Sequence, residues 1–475
     1  MSSASQSMTK SVVGSGVGAQ FVKNQNSPFM PRSPQVAAPF VVEHVNFQPK
    51  TGALQPGGQR ITYEIDWDGD VAKNISFVMR LDKLPLAHLA GGTASFIRYV
   101  DFVGLSCWSE IEVRFGTERV QTIRPEEIYC KIMSEYPDDK KDQFARLLGG
   151  GLTPAERSAR AQNNANQYIE IPLMTMLGLH YESDPSQALF IRGLGQKLQI
   201  SITLNPATMW IETDATTTYG TGELGALIAI GALGTTFVRS SSLNVEMYHV
   251  MDAERIQLEK IARGSRRMLI SDYQYAGPGR YQHAAATSLT AQGAVFTLTE
   301  FTLPVKTIYV LPRLTTDLAK RAGDANGSRG YTAWNLNAWY NAGGLATSLP
   351  VIQSMTLAVG SNNFALRSTG VDEITHKEQA RKFPGFSRPL GLLKWTYEHE
   401  PCDENSVTGY LDFEASSNPT VTVQYQTNGA PLAVVSDIGV VDTGDAAALL
   451  DYTFVAKSVN VIRLDNMQLR RPYSN

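Results

Sequence analysis

Apolar and polar residues alternate in short runs along most of this chain. Ala38–Phe47, Arg60–Asp66 and Ile75–Leu81 carry β-branched or aromatic side chains at alternating positions, the period of a strand with one dry face. Gly52, Pro56-Gly57-Gly58, Asp68-Gly69 and Gly91-Gly92 separate these runs as turns. Phe96–Thr122 is the densest region. There Ile111, Val113 and Phe115 alternate with Glu112 and Arg114, which predicts a strand with one wet face. Gly116-Thr117 turns the chain. Pro125 then stands at a first helical position, followed by Glu126 and Glu127. Proline fits there without losing a hydrogen bond, and acids favour the first turn, so a short helix over Pro125–Tyr136 is predicted.

Residues 137–167 are polar and rich in charge, Gly, Asn and Gln, and read as a long insertion in which Pro154–Gln162 could be helical. Strands resume at Tyr168–Leu173 and Lys197–Leu204. A similar grammar then restarts, with a strand at Leu243–Tyr248, a helical pattern at Asp252–Ala262 and strands at Val305–Leu311 and Ser458–Leu464. Long loops at about 317–350, 367–388 and 428–450 separate further strands. Two β modules of similar size suggest an all-β chain of two jelly rolls with short helices. Periodicity alone does not separate that from two generic sandwiches.

The chain has 475 residues, enough for each half to bury its own core. Its formal net charge is -3, so a basic surface built to coat nucleic acid is not indicated. Cys107, Cys130 and Cys402 are too few and too scattered for a disulfide framework, which fits a reducing compartment. No secretory signal pattern opens the chain. The apolar stretch Leu224–Val238 is interrupted by Gly225, Gly231 and Gly234 and reads as loop plus strand rather than a spanning helix. Residues 1–38 are Ser-, Gly-, Gln- and Pro-rich and form an arm, not a domain. Lys10, Lys23 and Arg32 are its charges, so the arm is basic while the whole chain is slightly acidic.

Candidate chemistry does not assemble. Asp442-Thr443-Gly444 has the form of an aspartic-protease triplet, but two such carboxylates are needed and a second copy is missing. The same triplet is an ordinary turn. His399-Glu400-Pro401-Cys402 lacks the second cysteine of a zinc deaminase and reads as a polar loop. Gly104-Leu105-Ser106-Cys107-Trp108 lacks the closing glycine of a nucleophile elbow, and a strand surface position is expected for Ser106. Gly14–Gly18 and Gly193–Lys197 lack phosphate-loop context. The seven histidines are scattered, and the sequons at Asn74 and Asn326 are of the kind that occur by chance. No catalytic residue, cofactor or metal is therefore assigned.

Several segments, in order, resemble the major capsid proteins of nucleocytoplasmic large DNA viruses. They are Tyr99–Gly104 continuing through Ile111–Gly116 to Tyr129, Tyr168–Leu173 with Leu189–Leu204, and Leu243–Tyr248 with Met251–Arg255. Pro304–Val310, Gly409–Phe413, and Asn460–Leu464 with the terminal Ser474-Asn475 complete the set. The resemblance implies a double jelly roll, with modules at about 39–235 and 236–475. It implies a structural, non-enzymatic protein of the virion: a homotrimer whose pseudo-hexagonal capsomers tile an icosahedral shell beside neighbouring capsomers. The expected partners under the shell are minor capsid proteins and an internal membrane, met by Lys10, Lys23 and Arg32. Two alternatives stay open. One is a carbohydrate-binding jelly roll using Tyr331, Trp334, Trp339 and Tyr340; the other is a hydrolase built around Asp442.

Overall fold

The computed structural model describes residues 40–51, 60–84, 97–136, 138–150, 152, 154–163, 167–173, 189–205, 210–213, 238–277, 279–284, 294–314, 352–360, 362–367, 393–396, 410–413, 419–425, 433–435, 441–443 and 449–470. Val41–Asn475 form one compact unit, described below. The arm at 1–38, with Lys10, Lys23 and Arg32, lies outside the described residues.

The first half contains β1 (Phe40–Phe47), β2 (Arg60–Ile65), β3 (Val71–Leu81), β4 (Ile97–Tyr99), α1 (Val103–Ser106), β5 (Trp108–Phe115), β6 (Glu118–Ile123) and α2 (Pro125–Glu135). It continues with α3 (Asp138–Leu147), α4 (Pro154–Asn163), β7 (Gln167–Pro172), β8 (Leu198–Leu204), β9 (Ile211–Thr213) and β10 (Val238–Val250). Two four-stranded sheets result, in the orders β1-β10-β3-β7 and β2-β8-β5-β6. The alternation predicted from sequence sets their inner faces: Ile61, Tyr63 and Ile65 of β2 and Phe77 and Met79 of β3 are buried in one core. There the Tyr63 and Phe77 rings meet edge to face at 5.8 Å.

Helix α5 (Asp252–Arg263) joins the halves. The second half contains β11 (Ser265–Ala276), β12 (Gln282–Ala284), β13 (Ala294–Thr297), β14 (Pro304–Leu314), β15 (Ile352–Val359), β16 (Asn362–Arg367) and β17 (Leu393–Thr396). It ends with β18 (Leu411–Asp412), β19 (Thr420–Tyr425), β20 (Ala433–Val435), β21 (Val441–Thr443), β22 (Leu449–Asp465) and β23 (Gln468–Arg470). Its main sheets run β11-β22-β14-β17 and β13-β19-β15-β16. A second core gathers Tyr281, Phe296, Tyr452 and Phe454, with ring centroids 5.2–6.4 Å apart.

Several segments differ from the sequence reading. The polar insertion at 137–167 holds α4, where Pro154–Gln162 could be helical, and α3, which the pattern did not predict; they bury Phe144, Ala145 and Ala161, with Leu148 just beyond α3, together with the charged Lys141 and Arg157. High net polarity hid the narrow apolar stripe of α3. Ser106 is not on a strand surface but is buried in α1. Phe102, at a left-handed φ of 52°, bends the chain into that helix. Gly104 lies so close to Ile169 and Leu148 that a Cβ would fall 2.9–3.1 Å from them. The Trp108 indole N–H donates to the Gly104 carbonyl at 2.7 Å, which closes the bend. Asp442 is not in a turn but in β21, opposite Val434 of β20, so the loop at 428–450 contains a strand pair. The loops at 317–350 and 368–388 lie outside the described residues, as does 224–237 of the apolar stretch. Among the described residues, no helix is long and apolar enough to cross a membrane.

Candidate functional site

The two halves repeat one topology. Numbering the eight main strands of each half in chain order, both have one sheet in the order 1-8-3-6 and the other in the order 2-7-4-5. Strand registers fix the polarity as well. The ends of β2, β5, β7 and β10 lie at one end of the first half. The start of β11 and the end of β22 lie together in the second half. Helix α5 connects these two ends, so both halves point the same way from their join. At the join the connections include Asp66–Asp70 and Gly116-Thr117, whereas the end of β6, the end of β14, the end of β16 and the end of β19 lie at the far ends.

Asp70 organises this join. Its carboxylate accepts from the Val250 N–H at 2.9 Å and from the Arg192 guanidinium at 3.2 Å, and Arg255 of α5 lies 4.0 Å away. The Asp70 side chain is only 5% exposed. An anion in that setting needs its partners, because an unpaired buried charge is costly. Backbone bonds continue the join: Met467 N–H to the Ala262 carbonyl at 3.0 Å, and Gly195 N–H to the Met467 carbonyl at 2.8 Å.

The halves then meet through unlike surfaces. Strands β11, β22 and β14 alternate strictly across their middle. Phe454 and Val310 enter the second core, whereas Tyr275, Val455 and Tyr309, directly opposite one another, face the first half. The receiving surface lies beside β6 and α2. The Tyr275 hydroxyl donates to Glu127 of α2 at 2.8 Å, and the Arg124 guanidinium sits 4.7 Å from the Tyr275 ring centre. Burial first, and then the Glu127 carboxylate, hold the Tyr275 hydroxyl well above its ordinary pKa, so it stays a donor.

The equivalent face of the first half is different. On the outer side of β10, β3 and β7 stand Ser242, Asn244, Glu246, Tyr248, Ser76, Arg80, Tyr168 and Glu170, around the apolar Val78. Glu170 accepts from Ser76 at 2.6 Å and from Tyr168 at 2.7 Å. Glu246 accepts from Tyr248 and from Asn74, whose left-handed φ of 49° marks a bulge in β3. Burial and then Glu246 push the Tyr248 hydroxyl up to about 12. The outer face of the other sheet is also polar: Arg60, Arg114 and Arg119 converge on Glu112.

Other sequence candidates do not converge. Tyr331, Trp334, Trp339, Tyr340, Asn326 and His399–Cys402 lie outside the described residues. Cys107 and Cys130 are buried, and burial pushes the Cys107 thiol up, away from the reactive thiolate. Among the described residues, no group of three or more His, Cys, Asp or Glu could hold a metal ion. Sequence reasoning missed Asp70, Tyr275 and the polar outer face. The signal available was the polar half of each strand, which does not say what it faces.

Two modules of eight strands, each as two sheets in the same order, decide the architecture. The fold is a double jelly roll. No protein-family model matches the sequence, and no curated protein matches it. Solved structures do. PBCV-1 VP54, as a crystal structure fitted into a cryo-EM reconstruction of the virophage Sputnik, is 15% identical with a TM-score of 0.66, covering 94% of this chain and 100% of that one. A quasi-atomic model of the PBCV-1 virus capsid is 16% identical with a TM-score of 0.65, at 94% and 100% coverage. The Faustovirus major capsid protein is 12% identical with a TM-score of 0.60, at 94% coverage of each chain. At such identities the double jelly roll itself is what is shared.

Proposed function

We propose that this chain is a major capsid protein of a large double-stranded DNA virus, structural rather than catalytic and resident in the virion shell. The observation that carries the reading is the repeated strand order in two modules of one polarity, joined with likeness along 94% of the chain to capsid structures. In this reading three copies form a pseudo-hexagonal capsomer, because three chains of two modules supply six similar blocks. Capsomers then tile an icosahedral shell beside neighbouring capsomers. The first module is taken to begin near 39 and, because Val238–Val250 is hydrogen-bonded into its sheet, to run as far as α5, so that the second module begins later than the 236 expected from the sequence. The connections at the far end of both modules, including 317–350 and 428–450, form the outward tower of the capsomer.

The basic arm, with Lys10, Lys23 and Arg32, lies under the shell against minor capsid proteins or an anionic internal membrane. Each basic residue near such a lipid surface contributes about 1 kcal/mol. Electron micrographs of purified protein test the main reading. Hexagonal blocks or shells are expected, and dispersed monomers at micromolar concentration contradict it. Deleting 1–36 is expected to leave trimers folded while weakening their attachment to the inner layer in a salt-sensitive way.

A further inference from the structure

Apolar side chains stand exposed at the end where the two modules join. Helix α5 turns Leu258 and Ala262 toward the core. At about 100° per residue, its opposite side holds Ala253, Ile256, Gln257, Lys260 and Ile261, with Arg263 at one margin. Ile256 and Ile261 are 53% and 48% exposed. The acids Asp252, Glu254 and Glu259 fall at the margins of this side or beyond it, and Asp252 is paired with Arg255. The solvent side of α5 is therefore apolar and cationic along its centre. Met251, just before the helix, is 55% exposed. Trp67, in the turn that leads to Asp70, is 44% exposed, and the Lys197 ammonium stands 6.0 Å from its ring centre. Asp70 lies 4.0 Å from Arg255, so this turn adjoins the helix.

We infer that this end of the molecule lies on an anionic lipid surface. Helix α5 runs along the headgroup boundary, Ile256 and Ile261 enter the acyl layer, and Lys260 and Arg263 stay among the headgroups. This rests on the capsomer reading, in which the join end faces inward, and gives the folded modules a lipid contact of their own beside the arm. Three observations favour a bilayer as the occupant. First, α5 has twelve residues, too few to span a bilayer but enough to lie in its surface with one side wet and one side dry. Second, isoleucine and methionine gain from leaving water without needing directional partners, and an indole beside a cation, as at Trp67 and Lys197, suits the level of the headgroups. Third, the charges set among the apolar side chains are basic, which complements anionic headgroups. One copy binds weakly, and the three copies of a capsomer add their contacts.

The test sediments the full chain with vesicles of phosphatidylcholine alone and of phosphatidylcholine mixed with phosphatidylserine. It compares the parent with I256Q/I261Q and with V295Q. Glutamine keeps the charge and is a good helix former, so I256Q/I261Q is expected to melt like the parent. Val295 of β13 is 63% exposed and serves as an equally apolar position on the second module. The parent is expected to bind the mixed vesicles more tightly than the neutral ones. I256Q/I261Q is expected to bind the mixed vesicles about tenfold more weakly, since two apolar side chains no longer leave water, and V295Q is expected to bind like the parent. Vesicles with brominated acyl chains give an independent reading: they are expected to quench tryptophan emission in the parent, and less of it in Trp67→Phe. A parent that ignores both vesicles, or binds both alike, overturns the inference. So does I256Q/I261Q that binds as tightly as the parent, or V295Q that loses as much. Electron micrographs judge the capsomer reading separately, so hexagonal blocks from a protein that ignores vesicles overturn the lipid contact alone.

Discussion

The sheets β11-β22-β14-β17 and β1-β10-β3-β7 hold the same place in their modules, yet their outer faces are built from different chemistry. The former presents Tyr273, Tyr275, Tyr309, Leu311 and Val455, which join the core of the first module. The latter presents serine, asparagine, arginine and two tyrosine–glutamate pairs around a single valine, Val78. The difference follows from when each face meets its cover. The second module is tethered to the first by α5, so its face is covered during folding and can be apolar. A face that the chain does not cover itself must stay soluble, and large exposed apolar patches are a liability. Tyrosine and serine hydroxyls that donate to Glu170 and Glu246 meet that demand.

The sharpest way to break this comparison is to place the same acid on both faces. Val455→Asp puts a carboxylate into the fully buried seam and is expected to cost more than about 4 kcal/mol, enough to prevent folding. Ser242→Asp, on the corresponding strand of the first module, is expected to stay within about 0.5 kcal/mol in the monomer. Urea unfolding of both variants measures this, and equal losses would mean that the two faces are equally buried.

Asp70→Ala loosens the join that makes one face internal and leaves the other external. It removes the acceptor for the Val250 N–H and the partner of Arg192, for an expected loss of about 3–5 kcal/mol. A biphasic unfolding curve would show that the modules separate once the join fails. Tyr275→Phe tests the polar element of the seam more gently. It deletes the donor to the buried Glu127 and is expected to cost about 1–3 kcal/mol. Combining it with Arg124→Ala in a double-mutant cycle measures the coupling between ring and guanidinium, expected at about 0.5–2 kcal/mol.

The smallest effects are those of pH. Tyr248, on the polar face, has its hydroxyl raised to about 12 by burial and then by Glu246. A raised folded value gives stability that is present below the ordinary tyrosine range and lost as pH climbs from about 10 through 12. Y248F is expected to flatten that alkaline limb slightly in melts recorded over this window. Glu64 shifts the opposite way, held down by hydrogen bonds from Lys50 and Lys197. Its contribution is present above about pH 4.3 and lost as acid protonates the folded carboxylate. Because these partners are exposed, Glu64→Gln is expected to change acid stability by less than about 1 kcal/mol. A larger change at either site would mean that the outer faces of the first module contribute to its folding, against the contrast drawn here.

Much of the molecule was legible in the sequence. The alternation in Arg60–Ile65, the opening of α2 at Pro125 and the strand–helix run through Val250 and Arg263 appear in the structure close to where the pattern puts them. Those features depend on local steric preference and on which side of an element is dry, and both are written in the order of residues. The helix Asp138–Leu147 and the bend at Gly104 were not legible. Their apolar positions gain meaning only when Ile169 and Leu148 stand beside them. Period-2 alternation states that a strand has two unlike faces. It does not state that Tyr275 will find Glu127 across 148 residues, or that Asp70 will gather Val250 and Arg192. Sequence alone determined two β modules with dry inner faces and a basic N-terminal arm. Which outer face is buried within the chain and which is left outside it was decided only by the packing of one module on the other, because that choice depends on contacts between residues far apart in the chain.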